Sequence, residues 1–275
     1  MKPRKVWAVY FSGTGTTEKT VTHIAKGIAE KLCADYDTFS YTLPKSREQE
    51  LIFSADDLVV FGSPVYAGRV PNVLLPYLAN KVKGNGALAI PVVLFGNRNF
   101  DDGLIELRNV LEADGFHAVA AASFVGEHSF SRTLGAGRPD AEDVALMNQL
   151  ADRVAEKVTA LTELPRQPIA VRGEDPIRPY YTPCDRQGTP INILKVKPKT
   201  DPKKCDNCGW CAAHCPMGSI SAEDVSQVTG ICIKCCACVK GCHTGAKYYD
   251  DAGYLYHQHE LEEGYARRAE VELFW

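Results

Sequence analysis

The chain has no run of eighteen apolar residues, so no membrane-spanning helix is expected. It lacks a cationic arm: 31 Lys and Arg against 34 Asp and Glu leave a net charge of −3, with the positives scattered. That balance gives no reason to expect nucleic acid as a partner. The first residues, Met1-Lys2-Pro3-Arg4-Lys5, are basic, but Val6 to Phe11 is only strand-length and ends in a Gly-rich turn without a cleavage-like site. The reading is a mature cytoplasmic protein. Cysteine, by contrast, is abundant and uneven: nine of the eleven lie between Cys205 and Cys242. A disulfide scaffold fits poorly, because the spacing is regular and the chain reads as cytosolic. Metal is the better reading.

Residues 5–160 alternate strand and helix signals. Strands are expected at Lys5–Phe11, Phe39–Leu43, Leu58–Phe61, Ala87–Phe95 and His117–Val125. Helices are expected at Thr16–Leu32, Asn72–Val82, Asp101–Asp114 and Asp140–Leu164. Five strands alternating with helices imply an α/β fold, a doubly wound five-stranded parallel sheet covered on both faces. From Pro165 the texture changes, with eight prolines up to Pro202 and no periodic segment among them. This reads as a linker; its 35 or so residues would span roughly 115 Å if extended, so length alone does not fix the separation of the two parts. The expected division is 1–164, an α/β domain; 165–200, the Pro-rich linker; 201–250, a small Cys-rich domain; and 251–275, a charged, aromatic tail with no assigned place. About fifty residues make a poor apolar core, which itself argues for metal in the third part.

One spacing occurs twice: Cys205-x2-Cys208-x2-Cys211-x3-Cys215-Pro216, and Cys232-x2-Cys235-x2-Cys238-x3-Cys242, an internal repeat of 27 residues. Three closely spaced thiolates wrap one [4Fe–4S] cubane and the fourth of that run reaches the other. Cluster one is therefore expected on Cys205, Cys208, Cys211 and Cys242, and cluster two on Cys232, Cys235, Cys238 and Cys215. Zinc favours paired knuckles separated by longer loops, a different pattern. Residues 203–250 resemble a bacterial-type ferredoxin domain with two [4Fe–4S] clusters. The resemblance implies Pro after each run, yet His243 follows Cys242. His243 is read as a turn residue, with a proton-coupled role as the sharper alternative. Cys236 breaks the spacing and reads as a non-ligand thiol. Cys33 and Cys184 read as inert.

After the first strand comes Phe11-Ser12-Gly13-Thr14-Gly15-Thr16-Thr17, opening a helix. Backbone N–H groups at a helix N-terminus, with hydroxyls beside them, suit a monoester phosphate. The loop is no Walker motif, having no Gly-Lys-Ser/Thr, and Glu18 stands where a dinucleotide fingerprint would have its third Gly. Two further loops, Gly62–Arg69 and Phe95–Asp102, follow strands three and four and would gather at the same end of the sheet. Tyr66 and Phe100 are candidates to cover a flat ring.

These loops resemble the flavodoxin family, and the whole chain is similar to the ferredoxin–flavodoxin fusion proteins of anaerobes, over residues 5–160 and 201–250. The resemblance implies FMN. Ser12, Thr14, Gly15, Thr16 and Thr17 would hold the phosphate. Ser63, Pro64, Val65, Tyr66, Ala67 and Gly68 would line the isoalloxazine, and Gly96, Asn97, Arg98, Asn99 and Phe100 would form the third loop. Arg98 is read either as a cation favouring reduced, anionic flavin or as half of a surface ion pair, with Asp101 and Asp102 near.

The expected function is transfer of single electrons between two clusters and FMN, and to or from a redox partner protein, such as a ferredoxin or a ferredoxin-dependent enzyme, in an anaerobic cytoplasm. A tether brings the centres to about millimolar effective concentration. Lys195, Lys197, Lys199, Lys203 and Lys204 form either a solvated linker or a steering patch. The alternative is a flavin-dependent reductase of a small organic substrate, with an open pocket over the ring built from residues 126–139, including His128, Arg132 and Arg138. A structural or sensory role for the clusters is a third reading, disfavoured by the two-cluster pattern and the lack of a DNA-binding motif.

Overall fold

The computed structural model describes residues 2–275; Met1, at the head of the basic stretch noted above, lies outside them. The α/β part runs β1 (Lys5–Tyr10), α1 (Thr16–Leu32), β2 (Asp35–Ser40), β3 (Asp57–Pro64), α2 (Leu75–Lys81), β4 (Leu88–Phe95), α3 (Gly103–Ala113), β5 (Ala121–Val125) and α4 (Ala141–Ala160). Strands β2-β1-β3-β4-β5 lie side by side in that order, each pair parallel. This is the flavodoxin-like arrangement, whose crevice opens beyond the carboxyl ends of β1 and β3, where the strand order reverses.

Alternation of side chains along each strand builds two cores. Val6, Ala8 and Tyr10 of β1 face one way with Leu58 and Val60 of β3, toward α1 and α4. Val9, Val59 and Phe61 face the other way, with Leu104, Leu107 and Leu111 of α3. Each such buried side chain contributes on the order of 1.5–3 kcal/mol. Helix α1 meets the sheet through Val21, Ile24, Ala25, Ile28 and Leu32, one face at helical spacing. Helix α4 begins at Asp140, whose carboxylate accepts from the Glu142 and Asp143 N–H groups in a capping box.

Three features differ from the sequence expectation. Strand β2 lies earlier than Phe39–Leu43: its polar stretch from Asp35 pairs with β1, while Tyr41 beyond it is fully buried core. The stretch His117–Val125 is interrupted; His117–Ala118 pairs with the start of β4 and Ala121–Val125 with its end. The parallel sheet also gains an antiparallel strand from the far end of the chain, Glu272–Phe274, paired with Ala121–Ser123. The tail thus covers an edge that would otherwise be open.

The Pro-rich stretch is fastened to the α/β part along its length. The buried Asp102 carboxylate accepts from the Glu174 and Arg178 N–H groups and from the Arg178 guanidinium. Arg178 is the main cause that holds Asp102 down at about 2, against the cost of burial. Further on, the Tyr181 N–H donates to Ala67 O at 2.8 Å and the Tyr180 hydroxyl to Val70 O at 2.8 Å.

The Cys-rich part follows. Lys199–Thr200 pairs antiparallel with Lys247–Tyr248, bringing its two ends together. Each cysteine run carries a short helix, α5 (Trp210–Ala213) and α6 (Ala237–Lys240), and the longer α7 (Ala252–Gly264) follows before the last strand, β6 (Glu272–Phe274). The repeat extends to the backbone. Asn207 and Gly209 have positive φ (58° and 73°), and so do Lys234 and Cys236, 27 residues on (55° and 58°). No helix among the described residues is long and apolar enough to cross a membrane.

Candidate functional site

The second cysteine set converges. Cys215, from the first run, meets Cys232, Cys235 and Cys238 around one cavity whose other walls are apolar, among them Ile220, Val228 and Ile233. Burial pushes the Cys235 thiol up to about 12, so an uncoordinated thiolate would not persist there at neutral pH. Several thiols in an apolar nest form the donor set that an iron–sulfur cluster requires, because metal coordination supplies the compensating charge. The first set lies nearer the surface. Cys211 and Cys205 pack in the small core beside Trp210, whereas Cys208 is exposed. His243 sits next to Cys208, its Nε2 at 2.9 Å from Asp206, in an exposed pair. Cys236 borders the same cavity, but its Sγ is engaged, 3.4 Å from Lys234 O and 3.4 Å from the Tyr254 hydroxyl.

The Gly/Thr loop lies at the switch point, beside the loops that follow β3 and β4. Gly15 caps α1 at φ 89°, a left-handed conformation that suits glycine. Gly13, Thr14, Thr16 and Thr17 line a small cavity with Pro64, Tyr66 and Gly96. Among the described residues the hydroxyls of Thr14, Thr16 and Thr17 accept and donate no hydrogen bond. Uncharged donors left open around a helix N-terminus fit a phosphomonoester. Ser12 is placed otherwise. Its Oγ accepts from the Glu18 N–H at 3.2 Å, and with Gly15 it lines the neighbouring cleft toward Trp210 and Lys240.

Beyond the cradle lies a chamber of about 210 Å³, lined by Val65, Tyr66, Ala67 and Gly68 from one loop and Gly96, Arg98 and Asn99 from the other. Ser63 is buried beneath, with its hydroxyl donating to Pro64 O. Two third-loop residues serve elsewhere. Phe100 is fully buried against Phe95, with the Arg172 guanidinium over its ring, so it is a core side chain and covers no ligand. Asn97 ties down the tail, donating to Tyr265 O and Arg267 O and accepting from the Ala269 N–H. Arg98 is ion-paired with Asp101 and stacks over Tyr181 at 4.4 Å. Of its two sequence readings the ion pair is present, and Arg98 also lines the chamber.

The remaining walls come from parts of the chain that sequence reasoning did not assign to this site: Tyr181, Ile193 and Leu194 of the Pro-rich stretch, Lys234 of the second cysteine run, and His257 and Leu261 of α7. A ring path also leads here from the second cysteine set, because Tyr249 stacks on Tyr254 at 4.1 Å and Tyr254 meets Phe130 at 4.7 Å. No local pattern marks these residues, since each reaches the chamber only through the packing of distant segments.

The first part of the segment 126–139, Gly126 to Phe130, borders the two cavities. Lys240 of α6 pins it, pairing with Glu127 and donating to His128 O at 2.7 Å. Arg138 is buried in a pair with Asp143 and donates to Ala269 O, a structural role. His128 lines both cavities. Burial first, then Lys240, His257 and Arg98, lower it to about 3, so its ring is neutral at physiological pH. Its Nδ1 accepts from the Phe130 N–H at 3.1 Å, which leaves the proton on Nε2.

Comparison with known proteins adds one sequence match. The family of 4Fe–4S binding domains matches residues 198–221, which span the first cysteine run. No curated protein matches the chain. Among solved structures, a flavodoxin from the domain Archaea is 17% identical over 56% of this chain and 99% of its own, with a TM-score of 0.37. The Streptococcus pneumonia TIGR4 flavodoxin is 20% identical over 56% and 99%, with a TM-score of 0.40. Rubredoxin oxygen:oxidoreductase from the anaerobe Desulfovibrio gigas is 20% identical over 58% of this chain and 37% of its own, with a TM-score of 0.40. The class is set by the strand order and the cysteine-run match together: a flavodoxin-like α/β fold joined to a ferredoxin-type 4Fe–4S domain.

Proposed function

We propose that this chain is an electron-transfer protein that holds two [4Fe–4S] clusters and one FMN and exchanges single electrons with a redox partner protein. The observation that carries the reading is a contact. A Cβ at Gly13 would lie 3.1 Å from the Cys235 Cβ and 3.5 Å from the Tyr66 hydroxyl. The phosphate loop, the ring loop and the second cysteine run therefore touch, and glycine is the residue that lets them do so.

Thr14, Thr16 and Thr17 would hold the FMN phosphate, and residues 64–68 with Gly96, Arg98 and Asn99 would border the ring. Bound there, FMN supplies a carrier of one or two electrons beside clusters that each carry one. Cluster one would sit on Cys205, Cys208, Cys211 and Cys242, and cluster two on Cys232, Cys235, Cys238 and Cys215. The exposed Cys208 makes the first set the natural meeting point for a partner, and the second set, with Cys235 and Cys238 buried, faces the flavin loops. The boundaries 1–164, 165–200, 201–250 and 251–275 serve this reading as flavin domain, strap, cluster domain and closing tail. An oxygen-poor cytoplasm suits exposed clusters. The reductase alternative would need room for a substrate beside the flavin ring, and the chamber of about 210 Å³ would have to hold both.

The test is anaerobic rapid mixing with a reduced low-potential ferredoxin, following cluster and flavin absorbance separately. The expected result is bleaching of the clusters followed by reduction of the flavin. Steady turnover of a small organic acceptor with no protein partner would move the reading to the reductase.

A further inference from the structure

Four basic side chains line the ring chamber: Arg98, His128, His257 and Lys234. Arg98 is held by Asp101. His128 is neutral, its Nδ1 engaged by a backbone N–H. Lys234 is different. Its Nζ donates to Leu194 O and to Cys232 O, each at 3.0 Å, and among the described residues it has no carboxylate partner; burial lowers its pKa, with the neighbouring Cys232 and Cys236 acting the other way. It is half-buried, and it belongs to the turn between Cys232 and Cys235 while also lining the ring chamber.

Its backbone adds a second observation. The cysteine repeat needs left-handed residues at two places in each run. The first run supplies Asn207 and Gly209, which tolerate positive φ. The second supplies Lys234, at φ 55°, where Asn stands in the first. A long cation in that conformation is strained relative to Asn, and its two carbonyl contacts hold the ammonium at the cavity wall. Strain of this kind persists where a site uses it.

We propose that Lys234 is the cation that sets the redox balance of the bound flavin, a role that the sequence offered to Arg98. The proposal rests on the FMN reading above. A fixed positive charge at the ring favours its reduced, negatively charged form over the oxidised, neutral one. Since Lys234 is carried by the second cysteine run, the flavin acquires this charge only when the cluster domain is docked. The ferredoxin part then acts on the flavin in two ways, as a source of electrons and as the electrostatic environment that makes accepting them favourable.

The experiment compares wild type with Lys234→Asn, which removes the charge and inserts the residue suited to the backbone, and with Lys234→Arg, which keeps the charge. Iron, sulfide and FMN content are measured first, then the affinity of each protein for oxidised and reduced FMN by spectroelectrochemical titration. Lys234→Asn is expected to keep its iron and its oxidised FMN and to lose about tenfold or more in the preference for reduced over oxidised FMN. Lys234→Arg is expected to keep most of that preference. An unchanged preference in Lys234→Asn overturns the proposal while leaving the FMN reading intact, and a companion Arg98→Met that does shift it would return the role to Arg98. A wild-type protein that holds iron but no FMN overturns both.

Discussion

Replacing Cys215 with serine is expected to remove the cluster of the other cysteine run. Cys215 stands in the first run, yet it lines the cavity of Cys232, Cys235 and Cys238. With crossed ligation, Cys215→Ser loses roughly half of the iron and sulfide, and the half lost is the one nearer the flavin loops. The wider effect is large, because the Cys-rich part has only a few buried apolar residues of its own, Ile220 and Val225 among them. Cys236→Ser is the control. Its thiol is more deeply buried than that of Cys215 but points to Tyr254, so full iron is expected to remain. Iron and sulfide assays with electron paramagnetic resonance of the reduced proteins decide the matter. Full iron in Cys215→Ser, or half in Cys236→Ser, would contradict the crossed assignment.

The second large effect is expected at Gly96. A Cβ there would lie 2.3 Å from His128 Cδ2, 2.8 Å from Cγ and 2.9 Å from the His128 Cα. Because backbone is among the atoms met, a change of rotamer does not relieve the clash. Gly96→Ala must push the third loop and the 126–139 segment apart, at about 1–3 kcal/mol for an overpacked site. Both border the cradle and the chamber. FMN affinity is therefore expected to fall by roughly fivefold to a hundredfold, with iron content unchanged. Fluorescence titration of the apoflavin form measures it. Unaltered FMN affinity would show that the ring does not lie between these loops.

Much of this was legible in the sequence, for physical reasons that differ from part to part. Ligands proposed for one cluster must lie within bonding distance of one small object, so the spacings Cys205 to Cys215 and Cys232 to Cys242 are local and survive as text. The proposed phosphate cradle is likewise a single strand-to-helix turn, and buried parallel strands such as Leu88–Phe95 read as continuous apolar runs. Strand β2 was displaced in the reading because an edge strand is half solvated. Its Asp35, Asp37 and Thr38 carry no hydrophobic signal, and the buried Tyr41 beyond its end does. Phe100 and Tyr181 show the same limit at the site. Both are aromatic residues near polar loops, yet one fills the core and the other walls the chamber, a distinction fixed by how residues 172–181 lie across α3 and the ring loop. Strand Glu272–Phe274 and residue His257 were illegible because their places depend on contacts well over a hundred residues away, with no local pattern to announce them.

The central claim is that one chain holds two clusters and a flavin in contact. The most direct measurement is native mass spectrometry of the intact protein purified without oxygen. The account predicts a mass increment equal to two [4Fe–4S] clusters and one FMN on each chain. Iron and sulfide without FMN would contradict it and leave a two-cluster carrier fused to an α/β domain with another ligand.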